Sequence, residues 1–334
     1  MHFPMEDTKQ HPPQSDIYLN YFLSMNYEFC IVGVGNSGTR FLKALNRLSV
    51  DKDRIIVYDT NLSLLKEFSQ RFGVQAEEEF EKIGLIKTKL LCVVSTPPGT
   101  HFALTRSLIS AKHDVLIEKP LFLRSADIDL IEKLASENGV LVSAVAQHRF
   151  DPGYTNLIRN LLTNVDNIKS ISLTISRRRE YETSVGCQQW QTQRALSGGG
   201  VLVSIGFHYL DLLCNVLGEA QVVSVNHVFF KFGIEFELDA ELRFNNNLEL
   251  LIKAEWGANV EERCDCIRIS YKNSPEMYYS GGQFSSKVDA MKPDNVLLLS
   301  SQLSSIIYRD NQIVKPADVK NTLRTIENIY NLIY

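Results

Sequence analysis

Between Tyr27 and Gln147 short apolar runs alternate with amphipathic stretches. Phe29-Cys-Ile-Val32, Arg54-Ile-Ile-Val-Tyr58, Leu90-Leu-Cys-Val-Val94, Val115-Leu-Ile117 and the run from Val140 to Val145 are continuous enough to be buried strands. Between them, Phe41, Leu42, Leu45 and Leu48 share one helical stripe, as do Leu64, Leu65 and Phe68 ahead of Gly73. Ile128, Ile131 and Leu134 form another stripe, and a further helix is predicted from Thr100 to Ala111. Strand and helix in succession, with short connections, predict a parallel doubly wound sheet.

The second half is patterned differently. A helix is predicted from Pro152 to Leu162, a strand over Ser170 to Ile175, and a strong helix after Gly198-Gly-Gly200. Strand-like segments then follow at 222–230, 236–244, 248–256 and 264–271, with no helix between them, which predicts a largely antiparallel sheet. Asn245-Asn-Asn247 reads as a hairpin turn, and a final helix from Asn321 to Ile333 places Leu323, Ile326, Ile329 and Tyr330 on one face. The fold class is α/β: a doubly wound domain over 25–147 and an α+β domain over 148–334 with a mostly antiparallel open sheet.

Composition narrows the function. A chain of 334 residues exceeds one ordinary core, and 44% apolar with 22% charged residues describes a folded protein. A net charge of −4 gives no basic footprint, so no nucleic-acid partner is expected. No unbroken apolar run reaches the length of a bilayer span, so no membrane partner is expected either. Residues 1–24 lack the basic start and apolar core of a secretory signal, and they read as a mobile extension or as sequence preceding a true start at Met25. Six scattered cysteines, with only Cys264-Asp-Cys266 closely spaced, do not make a metal site and read as reduced thiols of a cytoplasmic protein.

Candidate chemistry lies at strand ends. Gly33-Val-Gly35-Asn36-Ser37-Gly38 follows a strand and opens a helix, the context in which GxGxxG binds a dinucleotide pyrophosphate. Asp59 ends the next strand, where it would bind ribose hydroxyls or merely cap a helix. Its charge repels a 2′-phosphate and favours NAD over NADP, although Arg40 lies near. Thr96 and Pro97 end the third strand and should line the cofactor cleft; His101 is either a cofactor contact or a first-turn helix residue. Glu118-Lys119-Pro120 closes a strand at the ligand-binding edge, and its proline is a candidate for unusual peptide geometry. Ser204, His208 and Asp211 recur at i, i+4 and i+7, either as an internal hydrogen-bond network or as a functional stripe. Arg177-Arg-Arg179 would meet a diphosphate or carboxylate, or form a solvated edge, and Trp190 would stack on a sugar face or pack internally.

In this order, GVGNSG, Asp59, Ser95-Thr-Pro-Pro-Gly-Thr-His101, Glu-Lys-Pro and GGGVLVSIGFHYLD resemble the Gfo/Idh/MocA oxidoreductases. The resemblance runs from Met25 to the chain end and is most specific over 30–212. It implies a Rossmann domain, a second domain whose open sheet serves a homodimer or homotetramer, and hydride transfer between nicotinamide and a sugar-like carbinol carbon. Carried over, Lys119 matches the family's active-site lysine and His208 its active-site histidine. Glu118 falls beside the nicotinamide, while Gln147 and Arg149 belong to the segment contacting nicotinamide and substrate. Ser204 replaces an acid common in the family, and the surrounding motif looks more like the nucleotide-sugar members. The substrate expected is a sugar, sugar acid or nucleotide sugar, contacted by Arg149, Trp190, Ser204, His208 and Asp211. With serine at 204, acid–base work falls on His208, whose ordinary pKa is about 6.5, and on Lys119. The alternative is a non-catalytic dinucleotide-binding regulator of the same fold.

Overall fold

The computed structural model describes residues 28–178, 189–257, 260, 263–288 and 294–334. The expectations for residues 1–24, Arg179 and Cys187 lie outside them. In the first domain β1 (Glu28–Val32), α1 (Asn36–Arg47), β2 (Ile55–Tyr58), α2 (Leu62–Phe72) and β3 (Gln75–Ala76) follow in order. They are succeeded by α3 (Phe80–Ile83), β4 (Leu90–Val94), α4 (Pro98–Ser110), β5 (Asp114–Ile117), α5 (Ala126–Asn138) and β6 (Val142–Ala144). The strands form one parallel sheet in the order β3-β2-β1-β4-β5-β6. All five residues of β4 are buried because helices cover both faces of this central strand. Strand order reverses between β1 and β4, so the carboxyl ends of these strands open the crevice where such folds bind ligands.

The second domain begins with α6 (Pro152–Asn164), β7 (Ile168–Arg178) and the short α7 (Arg194–Ser197). A wide π-helical turn at Leu202–Gly206 leads into α8 (Phe207–Leu217). Then come β8 (Ala220–Lys231), β9 (Ile234–Phe244), β10 (Glu249–Gly257), β11 (Cys264–Tyr271), β12 (Met277–Ser280) and β13 (Gln283–Ser285). The sheet runs β13-β12-β11-β7-β10-β9-β8, with only β7–β10 parallel. Burial alternates along β10, with Leu250, Ile252, Ala254 and Trp256 inward and Leu251 exposed, as a one-sided sheet requires. The Asn245–Asn247 turn joins β9 to β10, and Asn247 takes the left-handed conformation there (φ 63°).

Two features depart from expectation. The helical stretch Arg194–Leu217 is long and apolar enough, by length and composition alone, to cross a membrane. It is mostly buried here and carries Asp211, so its apolarity serves the core of the second domain. The chain also returns to the first domain near its end. Helix α9 (Asn295–Tyr308), which periodicity did not reveal, inserts Leu299, Leu303, Ile306 and Ile307 into the core built on Phe29, Phe41 and Leu45. Gln302 fixes it by donating to the Ala144 carbonyl (2.7 Å) and accepting from the Ala146 amide (3.2 Å). The closing helix α10 (Lys320–Ile333) then packs against α8 and β8.

This return gives a test. Leu303 is fully buried, so Leu303→Ala is expected to cost about 2–5 kcal/mol. The loss should register on a probe in the first domain as well as in global denaturant unfolding. An unchanged midpoint would show that α9 is not part of that core.

Candidate active site

One cleft of about 1470 Å³ gathers most of the site residues expected from sequence. At one end Gly33, Gly35, Asn36 and Ser37 lie between β1 and α1. Gly38 lies beneath them, where a Cβ would sit 2.1 Å from the Gly33 carbonyl oxygen, so only glycine permits this turn. Asp59 accepts from the amides of Val34 (2.9 Å) and Asn61 (2.9 Å). It does not cap α2; Asn61 does, accepting from the Leu64 amide at 3.1 Å. The Asp59 carboxylate is thereby fixed in the cleft wall beside the glycine turn. Ser37 accepts from Arg40 Nη2 at 2.9 Å, and Arg40 Nε is buried without a hydrogen-bond partner.

Thr96 and Pro97 continue this wall, with Thr96 Oγ1 hydrogen-bonded to Thr100 Oγ1 at 2.7 Å. His101 does not reach the cleft. Its ring is fully buried, with Nε2 2.8 Å from the Thr96 carbonyl and Nδ1 3.0 Å from the Pro120 carbonyl. Burial lowers its pKa against the opposing pull of those carbonyls, and the ring sits between the third-strand loop and the Lys119–Pro120 turn. That turn contains a cis peptide bond, as the proline suggested.

At the other end the two domains meet. Glu118 accepts from the Lys119 amide (2.7 Å), and Lys119 Nζ donates to the Ser204 carbonyl. It is therefore the backbone of Ser204, within the wide turn at 202–206, that meets the lysine. Such turns recur at functional sites because they redirect groups a regular helix would occupy. Ser204 and His208 line the cleft, together with Gln147 and Trp190. Gln147 Oε1 is buried and has no hydrogen-bond partner, leaving an acceptor unfilled at this end.

The expected stripe of Ser204, His208 and Asp211 divides. Asp211 turns away from the cleft and accepts two bonds from Arg149, at 2.8 and 2.7 Å, and one from Thr322 at 3.1 Å. Arg149 also donates to the Asp318 carbonyl (2.9 Å). The pair lies outside the cleft lining, with side chains 10% and 3% exposed, and ties the segment after β6 to α8. Arg149 and Asp211 are thus a buried ion pair, costly to break, that does not line the cleft.

Sequence reasoning passed over His148. Its ring centroid lies 4.7 Å from that of His208, and it lines the same cleft. Burial, then the Arg177 cation, lowers its pKa to about 4. His208 is also pushed well below the usual histidine value, first by burial and then by Lys119. Both imidazoles are therefore neutral at pH 7. The only signal for His148 was its position between Gln147 and Arg149.

The turn that starts α8 is anchored from behind. The fully buried Glu235 accepts from the amides of Gly200 (2.8 Å) and Leu202 (3.1 Å) and from the hydroxyls of Tyr330 (2.6 Å) and Tyr334 (2.8 Å). A Cβ on Gly200 would stand 1.8 Å from the Glu235 carbonyl oxygen, so the residue at 200 must be glycine. Gly198 takes φ +83°, the left-handed conformation that ends α7.

Comparison with known proteins fits this arrangement. Residues 27–145 match the family model "Oxidoreductase family, NAD-binding Rossmann fold", and residues 164–272 match "GFO/IDH/MocA C-terminal domain". The chain belongs to the Gfo/Idh/MocA oxidoreductase family. It is 28% identical over 202 residues to a protein assigned as the oxidoreductase subunit of UDP-kanosamine synthase in Amycolatopsis mediterranei (strain S699). That match covers 60% of this chain and only 54% of the relative. It is 25% identical over 254 residues to D-glucoside 3-dehydrogenase of Escherichia coli (strain K12), covering 70% of this chain and 71% of the relative. Its fold is that of the WlbA dehydrogenase from Bordetella pertussis, solved with NADH and UDP-GlcNAcA, at a TM-score of 0.77 and 17% identity, covering 92% of this chain and 95% of that one.

The neutral imidazoles make stability pH-dependent. An unfolded histidine takes up its proton near pH 6.5, whereas His148 does so only at about 4. Between these values the unfolded state binds more protons, so the stabilisation is complete above pH 6.5 and is lost as pH falls toward 4. The expected slope is about 1.4 kcal/mol per pH unit for each such imidazole. Urea midpoints at pH 7.5 and 5 should differ accordingly, and the difference should shrink in His148→Asn.

Proposed function

We propose that this protein is an NAD-dependent dehydrogenase that oxidises or re-forms a secondary alcohol on a sugar, sugar acid or nucleotide sugar. The observation that carries the reading is that Lys119 and His208, from different domains, line one cleft with the glycine turn, and that the Lys119 charge acts on the His208 imidazole. The residues present suit a dinucleotide. The glycine turn leaves no room for side chains, Asp59 is held to accept ribose hydroxyls, and Gln147 Oε1 and Arg40 Nε are buried polar atoms without partners. Glu118, Lys119, Thr96 and Pro97 complete the proposed cofactor wall. A carboxylate at 59 disfavours a 2′-phosphate, which supports NAD over NADP.

When bound, the nicotinamide supplies the hydride acceptor or donor. The protein's task is then to hold the alcohol and move its proton. His208, neutral at rest, accepts the hydroxyl proton; its lowered pKa makes it a modest base and its conjugate acid a ready proton donor for the reverse direction. Lys119, anchored on the Ser204 carbonyl, donates toward the oxygen as negative charge develops there. The Ser204 hydroxyl is available to a substrate hydroxyl but cannot carry charge at neutral pH. Trp190, on the same wall, offers an aromatic face to the sugar.

The remaining expectations extend this reading. Val223, Phe229 and Leu251 are exposed on the sheet of the second domain, with Phe232 exposed in its β8–β9 turn, which supports assembly as a homodimer or homotetramer. Free thiols at Cys30, Cys92, Cys214, Cys264 and Cys266 support a cytoplasmic setting.

Lys119→Ala and His208→Ala are each expected to lower turnover by at least about 100-fold while leaving NAD affinity within about threefold. Absorbance of reduced cofactor reads the first quantity and calorimetry the second; normal turnover in both variants would end the proposal. The acid limb of kcat/KM for alcohol oxidation should lie below pH 6.5, because His208 protonates below the ordinary histidine value. Asp59→Ala should narrow the preference for NAD over NADP by about tenfold or more.

A further inference from the structure

Beyond the reacting groups, the substrate end of the cleft carries fixed positive charge with no part in proton transfer. Arg177 and Arg178 end β7, and Arg263 precedes β11 on the neighbouring strand; all three line the cleft. Asp265 lies between them. Arg177 donates to it through Nε (2.8 and 3.1 Å) and Nη2 (2.7 Å), and Arg263 through Nε (2.8 Å) and Nη2 (2.7 Å). The Asp265 side chain is 5% exposed, whereas those of Arg177 and Arg263 are 30% and 37% exposed.

This is not the geometry of a solvated strand edge. On such an edge long cations move independently in water. Here one buried carboxylate holds the forks of two guanidiniums in place while their remaining surface stays open to the cleft. One negative charge also cannot neutralise two positive ones. The surplus reaches the two imidazoles of the cleft: the Arg177 cation contributes to the low pKa of both His148 and His208. Among the described residues lining the cleft, the only carboxylates are Asp59, held at the glycine turn, and Glu118, bonded to the Lys119 amide. A pre-oriented pair of guanidiniums matches the planar, bidentate geometry of a carboxylate or phosphate.

We propose that Arg177 and Arg263, oriented by Asp265 and supplemented by Arg178, form an oxyanion subsite, so that the substrate is an acidic sugar and not a neutral one. The proposal rests on the dehydrogenase reading for the word sugar, but the anion preference follows from the cluster itself. A carboxylate on the ring and a phosphate on its anomeric oxygen share the chemistry the cluster recognises.

The test is calorimetric binding to the NAD-loaded protein. The probes are glucose, glucuronic acid, glucose 1-phosphate and UDP-glucose, with the same set in the galacto series. At least one anionic form should bind more than about tenfold tighter than its neutral parent. That margin should fall to within about threefold in Arg177→Gln and in Arg263→Gln, with NAD affinity unchanged as the control for folding. Preference for the uronic acid alone assigns the carboxylate; preference for both phosphorylated forms assigns the phosphate. If either variant fails to fold, Arg178→Gln and a titration to 0.5 M NaCl, both expected to weaken anionic ligands selectively, carry the test. Equal binding of neutral and anionic forms, or a preference that survives all the arginine changes, overturns the proposal. Tight, Arg177-dependent binding upholds the subsite whether or not reduced cofactor then appears; failure of turnover with that ligand counts against the dehydrogenase reading only.

Discussion

The arrangement of the cleft depends on one buried carboxylate. Glu235 takes hydrogen bonds from the first amides of the turn at 200–202 and from two tyrosine hydroxyls of the closing helix. Helix starts leave amides without partners, and burying them unpaired is costly. Here the partner comes from the start of β9, so the sheet, the turn leading into α8 and the C-terminal helix share one hydrogen-bonded point. Burial pushes the Glu235 pKa upward, while the tyrosines and the Gly200 amide oppose that shift. From this anchored end the chain makes its wide turn, presents the Ser204 carbonyl to Lys119, and sets His208 against His148.

The second constraint is the seam between domains. Gly99 at the start of α4 lies so close to Ala195 that a Cβ would be 2.3 Å from its carbonyl oxygen. The Lys119–Ser204 contact crosses the same seam, and the Arg149–Asp211 pair ties the segment just after β6 to α8. The two walls of the cleft are thus held in register by close packing at Gly99 and Ala195 and by the bond from Lys119 to the turn that starts α8. A cleft built this way sets the distance between its two walls before any ligand arrives.

Much of this was legible in the sequence, for identifiable reasons. The first sheet showed itself because fully buried parallel strands are continuous apolar runs, and the glycine turn because its spacing is dictated by close backbone approach. Lys119 and His208, singled out by motifs, both line the cleft. What stayed hidden depends on partners distant in sequence. His101 and His208 look alike as letters, yet one ring is enclosed by carbonyls and the other lines the cleft. The pattern Ser204, His208, Asp211 assumed a regular helix; a wide turn redirected its first member, and Arg149, 62 positions away, claimed its last. Helix α9 escaped because it is apolar on more than one side, with Leu298, Leu299, Leu303, Ile306 and Ile307 all buried, so no single stripe stands out. Arg177 and Arg263 were unreadable as a pair without the strand register that brings Asp265 between them.

The return of the chain to its first domain also bears on how the protein is made. The edge strand β6 receives its last partner from Val314, whose carbonyl accepts from Ser143 across 171 positions. Helix α9 likewise fills the first core only after the whole second sheet has been synthesised. At translation rates of about 5–20 residues per second, the nascent dinucleotide domain waits roughly 10–30 s for these pieces. During that interval the apolar patch around Phe41 and Leu45 stands open. The first core is therefore completed by sequence from the far side of the second sheet, so the two domains are not successive folding units.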